Sequence, residues 1–173
     1  MRKLALFTTC VALLASSASA QQTGSGAPGV VPTGINVADT PTIQNAAYAS
    51  GNCMGGFQTI AMGSGASILS SVSLASQGGL ATAKQIYIFD ANPTGSTCTD
   101  KSTFTIATAD LSKLMATFSL TPAAPTGTTK TFAANGSMGL GLPSGGLIYA
   151  AVVETASETP ASTTDLVLNF SGF

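Results

Sequence analysis

The 173-residue chain has no histidine and no tryptophan, and only 8% of its residues are charged. Each shortage excludes some chemistry. Without His there is no Ser-His-Asp triad, no Cys-His nucleophile and no His-ligated zinc. Cys10 sits in an apolar N-terminal run, which leaves Cys53 and Cys98, too few for a four-sulfur zinc site. With no Trp and three Tyr, a stacking platform for sugars is thin. Nothing basic is clustered to attract a polyanion, so nucleic acid is not an expected partner.

The first twenty residues read as a secretory signal peptide. Arg2 and Lys3 form the positive start, Leu4 to Leu14 an apolar run too short to span a bilayer, and Ala18-Ser19-Ala20 a small-residue cleavage site. Cleavage there leaves four basic side chains against seven acidic, a net charge of −3. No other stretch is apolar enough to cross a membrane. The expected location is therefore the periplasm, the cell surface or the extracellular space. In that compartment an even pair of cysteines favours a Cys53–Cys98 disulfide, with two buried thiols as the alternative.

Residues 21–34, QQTGSGAPGVVPTG, are uncharged and rich in Gly and Pro. They read as a flexible arm, a disordered terminus, with an arm that docks on a neighbouring subunit as the alternative. From residue 35 to 173 the signals are those of a single β-sandwich. ILSSVSL (68–74) sets Ile68, Val72 and Leu74 against Ser71 and Ser73, the alternation of a half-buried strand. QIYIFD (85–90) is apolar on both faces and reads as a central strand covered on both sides. STFTIAT (102–108), KLMATFSL (113–120), LIYAAVV (147–153) and DLVLNF (165–170) are further strands. Turn clusters at 92–96, 121–129, 135–139, 142–146 and 158–164 separate them. The expected fold is all-β: one jelly-roll-like β-sandwich with short turns and at most one helical turn, at Ala109–Leu114. The Gly-rich run at 135–146 has the wrong spacing for a dinucleotide loop.

The chemistry-bearing residues concentrate between Gln85 and Leu111. Asp90, Asn92 and Asp100 are oxygen donors on one loop and form a weak candidate Ca²⁺ site without the closing Glu of an EF-hand. The alternative is turn chemistry. Asp90 would accept local amides, Asn92-Pro93 would open a turn, Asp100 would cap the turn that leads into Phe104, and Asp110 would cap the helical turn. A glycosidase-type carboxylate pair could be drawn only from Asp90, Asp100, Asp110, Glu154, Glu158 and Asp165. No Ser or Thr has a base beside it in sequence. No catalytic residue and no cofactor are assigned, and the expectation is a protein that is not an enzyme.

The order Ile88-Phe89-Asp90-x-Asn92-Pro93, Thr97-x-Thr99-Asp100, Phe104-x-Ile106 and Ala109-Asp110-Leu111 resembles a family of small virion structural proteins of tailed phages and prophages. Leu140-Gly141-Leu142-Pro143, Leu147-Ile148-Tyr149-Ala150 and Thr159-Pro160 followed by Asp165-Leu166 extend the likeness over roughly Tyr48 to Phe170. The resemblance implies a non-catalytic β-sandwich used in assembly, as a capsid-surface or tail-associated subunit. Combined with the signal peptide, it leads to an exported structural or interaction protein that self-associates or joins a larger protein assembly. The alternative is an extracellular module that binds glycan or calcium through the 90–100 loop.

Overall fold

A computed structural model describes residues 34–64, 66, 68–78, 80–123, 130–133 and 139–173, with the backbone alone at 130–133. Residues 1–20, expected from sequence to be a signal peptide, nearly all of the 21–34 segment and much of the 121–129 and 135–139 turn clusters lie outside the described residues.

The described chain builds two antiparallel sheets. Strands β1 (Ile35–Asp39), β3 (Ile68–Ser76), β6 (Lys130–Ala133) and β9 (Leu166–Gly172) form the first, in the order β1-β9-β3-β6, with the short β7 (Leu140–Gly141) also pairing β3. Strands β2 (Cys53–Ala61), β4 (Lys84–Phe89), β5 (Leu114–Leu120) and β8 (Leu147–Glu154) form the second, in the order β2-β8-β4-β5. With the short β7 set aside, the pairing is a mirror: first strand with last, second with second-last, and so inward to the β4–β5 pair. A long antiparallel ribbon rolled up in this way is a jelly roll.

Alternation fixes which side chains enter the core. Val72 and Leu74 of β3, Ile86 and Ile88 of β4, Ile148, Ala150 and Val152 of β8, and Leu166, Leu168 and Phe170 of β9 are all buried in one cluster between the sheets. Burying such a side chain contributes about 1.5–3 kcal/mol. The β3 pattern departs from the sequence reading by one residue. A register shift between Leu69 and Ser71 turns Leu69 rather than Ile68 inward, while Val72 and Leu74 keep their places.

Gly55 and Gly56 give β2 its own irregularity. Their φ angles are 78° and 80°, a region open to glycine, and the β2–β8 register shifts between Met54 and Gln58. A Cβ at Gly55 would stand 2.5 Å from Pro41 Cβ, so no larger residue fits there.

STFTIAT is not one of the sheet strands. It makes isolated bridges, Asn52 with Thr103 and Thr97 with Thr105, and belongs to the long connection from β4 to β5. That connection folds back over the outer face of the second sheet. There Cys53, Cys98 and Ala151 form a second, smaller core with Phe57, Tyr87 and Phe104 against it. The rings interlock: Phe57 meets Phe89 edge-on at 5.8 Å and Phe104 at 6.2 Å, and Tyr87 lies 4.6 Å from Phe104. Strand β4 is thus covered on both faces, as its two-sided apolar pattern requires. The helical turn before β5 is a short 3₁₀ segment, Thr108–Lys113.

Candidate functional site

Cys53 and Cys98 are joined by a disulfide, with Cα atoms 5.3 Å apart and 45 residues between them in sequence. Cys53 begins β2, and its side chain points to the outer face, where the 90–108 connection passes. The bond pins that connection to the sheet.

Asp100 sits beside it and is half-buried. Its Oδ1 accepts from Tyr48 Oη at 2.6 Å and from the Gly55 amide at 2.7 Å; its Oδ2 accepts from the Gln44 amide at 3.1 Å. Burial, and then the bond to Asp100, push the Tyr48 phenol above its ordinary range. Asp100 therefore anchors the approach to β2 instead of capping the turn that leads to Phe104. The Gly55 bulge supplies the amide that it holds.

The other residues of the loop go separate ways. The Asp90 side chain is exposed; its backbone amide donates to the Lys113 carbonyl at 3.0 Å. The Asn92 carbonyl accepts from the Thr94 amide at 3.0 Å and from Lys113 Nζ at 2.8 Å, and the Pro93 carbonyl from the Ser96 amide at 3.1 Å. The turn role of Asn92-Pro93 is thus played by backbone carbonyls. Asp110 is not the cap of the 3₁₀ turn: Ala107 holds that position, without a side-chain bond. Asp110 lies inside the turn and reaches across the loop, accepting from the Gly95 amide and Ser96 Oγ, each at 2.8 Å, and from Lys113 Nζ at 2.7 Å. Lys113 first, and then Ser96 and Gly95, hold its carboxyl below the usual range against the opposing effect of burial. Both Asp100 oxygens already accept protein donors. Among the described residues, no three His, Cys, Asp or Glu side chains gather where they could hold a metal ion.

The sequence reading missed a second constellation at one end of the sandwich. Lys84 and Glu154 are paired across β4 and β8 and follow the inward phase of Ile86 and Val152. Both side chains are fully buried. Lys84 Nζ donates to the Thr82 carbonyl at 2.8 Å, Thr82 Oγ1 at 2.7 Å and Glu158 Oε2 at 2.9 Å, and it lies 3.1 Å from Glu154 Oε2. Thr82 Oγ1 stands 2.5 Å from Glu154 Oε1 and 2.6 Å from Glu158 Oε2, so its single hydrogen serves one carboxylate at a time. The Thr155 and Ala156 amides also donate to Glu154 Oε1, at 3.0 and 3.4 Å. Glu154 Oε2 is different: it is buried and has no hydrogen-bond donor among the described residues. Its approach to Lys84 is an ion-pair contact without hydrogen-bond geometry.

Glu158 also takes the Ala81 amide, at very short range, and the Thr82 amide at 3.1 Å. Burial pushes its carboxyl up, but the donors Thr82, Ala81 and Lys84 outweigh burial and hold it down at about 2. Of the carboxylates considered as a pair from sequence, Glu154 and Glu158 are the two that share partners. They face Lys84 and Thr82. The signal for them was the period itself, since Lys84 and Glu154 extend the buried phase of two apolar strands.

Asp165 completes the set. Its Oδ1 accepts from Ser76 Oγ at 2.8 Å and closely from the Gly78 amide, and its Oδ2 from the Ala161 amide at 3.1 Å. A shallow depression of about 310 Å³ opens on the outer face of the second sheet, between Ser50, Gln85, Tyr87, Phe104 and Thr155. No protein-family model, curated protein or solved structure matches the chain.

Proposed function

We propose that the chain is a non-catalytic, exported structural or interaction protein, a β-sandwich subunit that coats or assembles with a larger structure, as in the virion proteins it resembles. The observation that carries this reading is where the charges go. Asp100, Asp110, Glu154, Glu158 and Asp165 all bind loops of the same chain, and Lys84 and Lys113 bind those carboxylates. Among the described side chains, the outer face of the first sheet is uncharged and mostly small: Asn36 and Ala38 of β1, Ser71, Ser73 and Ala75 of β3, and Val167, Asn169 and Ser171 of β9. Little charge opposes association of such a face with another surface. The disulfide suits an oxidising compartment, and no described helix is long and apolar enough to cross a membrane.

The test is sedimentation of the mature chain over a wide concentration range, beside Ser73→Lys, which sets a charge in the middle of the face. The expected result is concentration-dependent association that the substitution weakens while the thermal midpoint stays put. A mature chain that stays monomeric throughout and binds no cell-surface fraction would sink the proposal. A second reading, a module for a neutral ligand such as a glycan, draws on the Tyr87–Phe104 depression beside the 90–100 loop. A glycan array, with Tyr87→Ala as control, tests it.

A further inference from the structure

The cluster around Lys84 holds every part needed for a bond between its members. Lys84 supplies a buried amine. Glu154 supplies a carboxyl whose two oxygens are treated differently. Its Oε1 faces three donors, Thr82 Oγ1 at 2.5 Å and the Thr155 and Ala156 amides at 3.0 and 3.4 Å, which is how an enzyme cradles the oxygen of a carbonyl under attack. Its Oε2 is buried without a hydrogen-bond donor among the described residues and lies 3.1 Å from Lys84 Nζ. Glu158 stands 2.9 Å from the same nitrogen, within reach to take a proton. The pairing of Lys84 with Glu154 across neighbouring strands fixes the two reacting groups in one register.

We propose that Lys84 and Glu154 condense to an intramolecular isopeptide bond, with Glu158 as the proton carrier. Lys84 passes a proton, relayed by Glu158, to Glu154 Oε2, so that a neutral amine faces a neutral carboxylic acid, and the amine attacks Glu154 Cδ. Negative charge then grows on Oε1, where Thr82 and the two amides meet it. The second nitrogen proton follows the first through Glu158 to Oε2, the Cδ–Oε2 bond breaks, and water leaves. An ammonium and a carboxylate become a neutral amide and one water, Glu158 ends as it began, and no other reactant is needed. Burial supplies the direction: keeping two ions out of water is costly, whereas an amide carries no charge and the water is released from the site. The product is a covalent tie between β4 and β8, the two central strands of the second sheet.

The experiment is the intact mass of the folded, mature protein after reduction and alkylation, followed by a tryptic digest. A mass one water below that of the mature, alkylated sequence is expected, with no cleavage after Lys84 and a branched peptide joining Lys84 to Glu154. An unchanged mass after prolonged incubation of the folded protein overturns the proposal, as does a water loss that maps elsewhere. Because this measurement uses the unaltered chain, it does not depend on any variant folding. Glu158→Gln, checked for a native spectrum, is expected to stay at full mass or to lose water at least a hundredfold more slowly. Condensation at the original rate in that variant would remove Glu158 from the reaction.

Discussion

At the scale of single residues, five of the seven carboxylates, Asp100, Asp110, Glu154, Glu158 and Asp165, are loop fasteners. Asp100 joins three donors from Gln44, Tyr48 and Gly55. Asp100→Asn keeps the shape but offers an amide nitrogen where one oxygen accepted, so at least one half-buried donor loses its partner. A loss of about 2–3 kcal/mol is expected from urea unfolding; a change under about 0.5 kcal/mol, the usual range for a surface substitution, would show that the three bonds are incidental. Glu158 makes a pH prediction. Its carboxyl is held at about 2 in the folded chain, below its ordinary 4.5. A lowered carboxyl stabilises above its unfolded pKa, and that stability drains away as pH falls through the folded one. Unfolding free energy should therefore fall between about pH 4.5 and 2, and the fall should be shallower in Glu158→Gln. Parallel pH profiles for the two proteins would contradict the assignment. The sequence drew attention to Asp90, Asp100 and Asp110 because carboxylates are scarce and turn residues surround them. It misread what two of them hold, because the partners are remote: Tyr48 lies 52 positions from Asp100, and Gly95 lies 15 from Asp110. Local turn chemistry cannot foresee such bonds.

At the scale of elements, the connection from β4 to β5 behaves as a lid on a second core. Its order depends on Cys98, and the pair closes a long loop. Replacing both cysteines by serine should cost about 4 kcal/mol in the chain-entropy account of cross-links, seen as a lower denaturant midpoint. Proteolysis should also speed up within the 90–108 segment before the rest of the chain is cut. A double variant as resistant as the parent would show that Phe57, Tyr87 and Phe104 hold the lid without the bond. Periodicity made β4, β8 and β9 legible, because each carries an unbroken apolar phase. β1 and β2 escaped: β1 is short, with only Ile35 and Val37 as apolar inward positions, and β2 spends two of its positions on the Gly55-Gly56 bulge. STFTIAT alternates like a strand, yet its backbone finds only isolated bridges. Alternation there serves the small core, with Phe104 turned to the sheet.

At the scale of the whole molecule, the all-β class and the jelly-roll character were legible from many short strands between turn clusters. The order of strands in each sheet was not, since it rests on pairings between distant parts of the chain. The buried Lys84–Glu154–Glu158 group follows from that order, because only the β4–β8 pairing brings Lys84 opposite Glu154. The mirror pairing has a further consequence for how the chain comes to be folded. β9, the last of the described strands, lies between β1 and β3 in the middle of the first sheet. Until it arrives, β1 has no neighbour in that sheet and the core lacks Leu166, Leu168 and Phe170. Folding must wait for these non-local contacts and is correspondingly slow. If the chain is threaded across a membrane, as its proposed export requires, its own topology keeps the first sheet open until β9 has been released.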